Sequence, residues 1–198
     1  GDSQNAIYAV RSLGIDPSNG RELFLKKNGE VTYTWDANDR VFCGVDQPDY
    51  RGNINTMFMW KDLSVNLSFG YEWGGQQYNS TLISRVENAD KKYNVDRRVY
   101  EDRWKEPGDR TFFKGINETT ATQATSRFVQ DEATFTCQNL NVTYDLKGNK
   151  WLKRNLGIQT LTLKGDIADL FRISTIKQER GTSYPFSRQF SFTLSAMF

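Results

Sequence analysis

The sequence predicts a mainly β fold of antiparallel strands, patterned like part of the wall of an outer-membrane barrel. Three observations point there. Apolar and polar residues alternate with period two in several long runs whose apolar members are largely aromatic. Short turns at one end of the strands face long loops at the other, the asymmetry of such barrels. The final run alternates to the last residue, Phe198, where a soluble protein avoids an exposed apolar edge.

Six strands follow from the pattern, near 6–13, 51–60, 63–74, 128–146, 158–174 and 187–198. The first, Ala6–Leu13, is the weakest. In the second, Ile54, Thr56, Phe58 and Trp60 alternate with Asn53, Asn55, Met57 and Met59. In the third, Val65, Leu67, Phe69, Tyr71 and Trp73 share one face, with Ser64, Asn66, Ser68, Gly70 and Glu72 on the other. Only Lys61-Asp62 separates these two runs, so they read as a tight hairpin. In the fourth, Leu140, Val142, Tyr144 and Leu146 alternate, and the phase slips upstream near Phe135 and Cys137, which predicts a bulge. Leu161, Leu163 and Ile167 mark the fifth. Phe190, Phe192, Leu194, Ala196 and Phe198 line one face of the last.

Long loops are expected at 14–50 and 75–125, with no internal repeat. Inside the second, Leu82, Val86 and Ala89, then Val95, Val99 and Trp104, recur near the helical period among interleaved charges. One or two short surface helices are expected there, ended by Pro107-Gly108-Asp109.

Composition narrows the function. The chain has 198 residues, 14% of them aromatic, and a formal net charge of +2, so no nucleic-acid partner is implied. Mean hydropathy is -0.67, which excludes a bundle of membrane helices but not a barrel, whose alternation dilutes the average. There is no histidine, so serine, cysteine and metal chemistries that recruit imidazole are excluded. No carboxylate pair stands out by spacing for glycoside hydrolysis, and the chain is not expected to be an enzyme. Cys43 and Cys137 are either incidental thiols or a single bridge. Gly1-Asp2-Ser3 opens without a basic, apolar leader, which suits an intracellular protein or a mature or excised fragment.

Two loop features admit two readings. Asp16, Ser18, Gly20 and Glu22 are spaced like a short calcium loop, but a Pro-Ser-Asn-Gly turn explains the same residues more simply. Asp36, Asn38 and Asp39 are a weaker case. No cofactor or metal site is assigned. Tyr33, Trp35, Tyr100, Trp104 and Tyr184 are candidate contacts for substrate or partner; the competing role is to pin loops onto their neighbours.

A series of blocks carries a family resemblance. They are Ala6–Pro17 with Gly20-Arg21-Glu22, Tyr33-Thr34-Trp35, Gly74-Gly75-Gln76 with Tyr78-Asn79, and Val86–Asp90. Then follow Asp102-Arg103-Trp104 with Pro107-Gly108-Asp109, Thr125–Asp131, and Glu179–Arg188. In this order they make the chain resemble the C-terminal portion of the SusC/RagA family of TonB-dependent outer-membrane transporters from Bacteroidetes. The resemblance implies a plugged barrel of about 22 strands, of which residues 1–198 supply the last six. It implies uptake of an oligosaccharide or peptide, a SusD-like surface lipoprotein as partner, and contact with outer-membrane lipid. It also implies energy from TonB through a plug and N-terminal segment with no counterpart here. Loops 14–50, 75–125 and 175–186 would face outside, turns 61–62 and 147–157 the periplasm. Phe190, Phe192 and Phe198 would form the signal for barrel assembly. The alternative is a soluble β-sandwich carbohydrate-binding module with aromatic platforms.

Overall fold

Ala6–Ile15 forms β1, and three short strands follow where the sequence predicts only loop: β2 (Glu22–Leu25), β3 (Val31–Thr32) and β4 (Arg40–Val45). A computed structural model describes residues 3–90, 92–176 and 188–198. The four strands make one sheet in the order β3-β2-β1-β4. The first strand, expected in the barrel wall, pairs with β2 and β4, both antiparallel. The reason is local. Asn28-Gly29, with Gly29 at φ 87°, turns the chain between β2 and β3, and Lys26 N–H donates to Glu30 O at 2.9 Å. β1 therefore finds its partners inside the 14–50 segment.

The second sheet holds the other five strands: β5 (Tyr50–Trp60), β6 (Leu63–Tyr78), β7 (Val129–Lys147), β8 (Thr160–Ser174) and β9 (Gln189–Met197). Their order is β5-β6-β7-β8-β9, so sequence neighbours are spatial neighbours. β5 and β6 pair from Tyr50↔Trp73 to Trp60↔Leu63 across the two-residue turn. Lys61 takes a positive φ of 52°, as such a turn requires at its first position. The register of β7 on β8 shifts between Cys137 and Asn139, where the alternation slips in the sequence. The 147–157 turn carries a short helix, Lys150–Leu156. Asn149 caps its start, accepting from Trp151 N–H at 3.0 Å, and Gly157 ends it at φ 68°.

The chain divides into two compact units, residues 1–48 with 74–132, and 49–73 with 133–198. The first unit holds the core: Leu82, Ile83, Val86, Val99, Phe113 and Phe128. The helices of the second loop supply much of it. A helical turn, Ser80–Leu82, runs into a π-helix, Ile83–Glu87, and a second turn covers Arg98–Glu101. They were expected on the surface, but Leu82, Ile83, Val86 and Val99 are buried. In the second unit, Cys137 and Ile176 are the buried apolar side chains among the described residues. All of β9 is exposed.

Candidate functional site

The register of the second sheet sorts its side chains onto two faces. Ile54↔Phe69, Thr56↔Leu67 and Phe58↔Val65 lie on one face; Asn55↔Ser68 and Met57↔Asn66 lie on the other. The apolar face continues through a cluster of Phe69, Phe135 and Phe171, with ring centroids 5.5–6.5 Å apart. The polar face carries a row of hydrogen bonds across the strands. Asn66 Nδ2 donates to Asn141 Oδ1 at 3.3 Å, and Asn141 Nδ2 to Asp166 Oδ1 at 2.6 Å. Ser191 Oγ donates to Asp166 Oδ2 at 3.5 Å. Among the described residues no packed layer of side chains covers the apolar face: Ile54 stays 53% exposed, Phe58 61% and Phe192 73%.

In the first unit a cleft of about 420 Å³ opens between the segment after β3 and residues 120–123. Tyr33, Trp35, Arg21, Lys114 and Glu118 line it. The Arg21 guanidinium stacks over the Tyr33 ring at 4.8 Å and approaches Glu118 at 3.7 Å. Tyr33 donates its hydroxyl to Asp16, which together with the Ser18 donors holds that carboxyl below its usual range. Hydrogen bonding to Thr120 likewise lowers Glu118. Lys114 donates to Thr120 O, and burial pushes its ammonium pKa down. The cleft offers an aromatic wall, cationic donors and carboxylate acceptors, which suits binding.

Behind the cleft lies a buried ionic cluster that sequence reasoning missed. Arg127 donates from Nε and Nη2 to the two oxygens of Glu22, at 3.1 and 2.8 Å, and from Nη2 to Glu87 Oε1 at 2.7 Å. Burial opposes the Arg127 charge, but the hydrogen bonds it donates to Glu22 and the field of Glu87 raise its pKa on balance. Ser12 and Thr125 hydroxyls donate to Glu22 Oε1 at 2.6 and 2.7 Å. Arg103 donates to the carbonyls of Val86 and Glu87. The members come from four of the sequence blocks that carry the family resemblance: Gly20-Arg21-Glu22, Val86–Asp90, Asp102-Arg103-Trp104 and Thr125–Asp131. That concentration was the available signal.

The predicted contact residues scatter. Tyr33 and Trp35 share the cleft, and Trp35 donates its indole N–H to Ala124 O at 3.0 Å. Trp104 donates to Pro17 O at 2.9 Å and presses its ring on Gly20 and Gly115. Tyr100 is exposed, with Lys105 over its ring at 4.7 Å. Tyr184 lies outside the described residues. Phe190, Phe192 and Phe198 are all exposed. Asp16 builds a turn: it accepts from Ser18 N–H at 2.8 Å and Ser18 Oγ at 2.7 Å, while Glu22 turns away to Arg127. Asp36 and Asp39 accept from the backbone N–H groups of Asn38 and Lys27. Cys43 and Cys137 are free thiols.

The chain is similar to the structure of the RagAB peptide transporter, with a TM-score of 0.66 and 18% identity over 86% of this chain and 19% of that one. It is similar to the RagAB peptide importer in its open-open state, with a TM-score of 0.67 and 18% identity over 88% of this chain and 19% of the other. The closed-closed state gives 0.64 and 19% identity over 84% of this chain and 19% of the other. The chain thus spans about a fifth of the length of the solved chains it matches, and the likeness is one of fold. No family model matches the sequence, and no curated protein does.

Proposed function

We propose that this chain is a C-terminal wall segment of a SusC/RagA-type, TonB-dependent importer in the outer membrane. β5–β9 cross the bilayer in this reading, and the loops at 14–50 and 75–125 stand outside. The observation that carries it is the second sheet, polar on one face and, among the described residues, exposed on its apolar one. A barrel wall needs lipid on one side and a polar lumen on the other. A β-sandwich module would bury one face of each sheet, whereas Ile54, Phe58 and Phe192 stand exposed.

The spacing of aromatics supports the same reading. Tyr50 and Trp73 pair at one end of the apolar face, with rings 5.5 Å apart, and Trp60 marks the other. From Tyr50 to Trp60 is about 33 Å of strand at ~3.3 Å per residue, or about 25 Å of depth at a ~40° tilt. That depth equals the apolar band of such barrels, between its two aromatic girdles. The transported substrate is a peptide or oligosaccharide, and the matched folds favour the peptide. A SusD-like lipoprotein caps the outer end, while the plug and the TonB contact belong to the barrel's other parts. Tyr33 and Trp35 in the outer cleft are the substrate or partner contacts. Phe190, Phe192 and Phe198 serve as the assembly signal.

Cysteine labelling in outer-membrane vesicles tests the reading. With Cys43 and Cys137 replaced by serine, single cysteines are placed at Asn66, Leu67, Ser68 and Phe69. A membrane-impermeant maleimide should label the Asn66 and Ser68 positions from the aqueous lumen and spare the Leu67 and Phe69 positions. Equal labelling of all four rejects the wall.

A further inference from the structure

The helix Lys150–Leu156 has no obvious work to do as a turn between β7 and β8, which a few residues would close. Its composition is unusual. Lys150, Lys153 and Arg154 stand with no acid anywhere from Gly148 to Ile158. At about 100° per residue, these three cations fall on one side of the helix. Trp151, Leu152 and Leu156 fall on the opposite side. The cations are exposed and have no carboxylate partner among the described residues. Trp151 is 64% exposed and Leu156 52%, so the apolar side is uncovered as well.

Its place in the unit supplies the second observation. Gln159 N–H, just past the helix, donates to Met197 O at 2.7 Å, and Asp145 N–H donates to Asp62 O at 2.9 Å. The helix therefore emerges at the sheet end that carries Trp60 and Phe198, which are 60% and 76% exposed. An exposed apolar side at the sheet end that carries Trp60, with cations on the opposite side of the helix, matches one environment. At a bilayer interface, acyl chains and anionic headgroups lie within one helix diameter of each other.

We propose that the helix Lys150–Leu156 is an interfacial anchor on the inner surface of the membrane. Trp151 and Leu156 enter the acyl boundary, and Lys150, Lys153 and Arg154 bind anionic phospholipid headgroups. The proposal rests on the wall reading of β5–β9 and adds a lipid site to it. It fixes the depth of the barrel on the side away from the long loops.

The test uses the assembled transporter in nanodiscs doped with phospholipid brominated high on its acyl chains. One set is phosphatidylethanolamine with phosphatidylglycerol, the other phosphatidylcholine alone. Subtracting the emission of Trp60→Phe, Trp73→Phe and Trp151→Phe variants isolates each indole. The expected result is bromine quenching of Trp60 and Trp73 in both lipids and of Trp151 in the anionic discs. In those discs K150E/K153E/R154E should abolish Trp151 quenching alone. Quenching of Trp60 and Trp73 without Trp151 overturns the anchor and leaves the wall standing. Trp151 quenching that is the same in both lipids and survives charge reversal overturns the headgroup site. No quenching at Trp60 or Trp73 overturns the wall, and the anchor with it.

Discussion

Arg127 donates to Glu87 across 2.7 Å where both side chains are buried, their exposures being 4% and 0%. The same guanidinium grips Glu22, 7% exposed, so one cation joins β2, the π-helix and the segment leading into β7. A buried pair adds little over well-packed apolar groups, but removing one partner strands the other. Arg127→Met should therefore destabilise the first unit by about 3–5 kcal/mol. Arg127→Lys keeps the charge without the planar fork and should fall between. Adding Glu22→Gln and Glu87→Gln to Arg127→Met should recover part of the loss. Urea unfolding read by Trp35 and Trp104 fluorescence measures all three, and unchanged stability in Arg127→Met would show that the cluster holds nothing together.

Two glycines separate backbone strain from crowding. Gly29 has φ 87° and open space around it, whereas Gly20 has φ 72° and a Cβ there would meet the Trp104 ring at 2.4 Å. Gly29→Ala should cost about 1–2 kcal/mol of left-handed strain. Gly20→Ala should cost about 1–3 kcal/mol more, for overpacking. Thermal melts compare them; equal losses would mean the indole yields freely.

Acid should loosen the cleft beside Tyr33. Asp16 and Glu118 have carboxyls held below their ordinary values of 3.8 and 4.5. Depressed carboxyls contribute stability that is complete above those values and lost as pH falls through the lower folded ones. Lys114 has the opposite sense: its folded pKa lies below 10.5, so stability rises as pH climbs from the folded value toward that figure. Tyr33→Phe removes the largest influence on Asp16 and should return its carboxyl toward 3.8. A carbon-detected NMR titration of Asp16 reads the change directly, and an unmoved midpoint would discard the Tyr33 contact.

Facing can be tested by charge. If Leu67 looks into lipid near mid-bilayer, Leu67→Arg should cost about 2–4 kcal/mol of barrel stability. Ser68→Arg, one residue on and on the opposite face of the sheet, should cost far less. Folded yield in lipid vesicles against urea distinguishes them. Matched losses would place both side chains on the same kind of surface.

The legible parts of the fold were its long strands. In β6 the alternation from Ser64 to Trp73 states both faces without help from any partner. β2 and β3 are four and two residues long, too short for a period to register. Only the Asn28-Gly29 turn between them announces a hairpin. The helical spacing around Leu82, Val86 and Val99 was readable, but that its apolar side meets Phe113 and Phe128 was not. The site was less legible still. Arg127 lies 105 positions from Glu22 and 40 from Glu87, and charges so far apart show no spacing to read. Tyr33 and Trp35 stood out as aromatics in a loop, while Arg21, Lys114 and Glu118 looked like ordinary surface charge.

The tie between Asn79 and Phe128 bears on the order in which the chain assembles. Asn79 N–H donates to Phe128 O at 2.9 Å, so the long insertion between β6 and β7 begins and ends at one point. With only Lys61 and Asp62 to close, β5 and β6 can zip in about 1–10 μs. β7 cannot join them until the chain from Asn79 to Phe128 has doubled back, at the entropic cost of a long loop. The insertion's own core, Leu82 to Phe128, meets that cost when it condenses, and it delivers β7 already aligned beside β6. Pairing of β7 on β6 then starts at the end with the long loops and travels down the strands. Pulsed hydrogen exchange would record it as amide protection at Leu82 and Val86 before Asn141 and Val142.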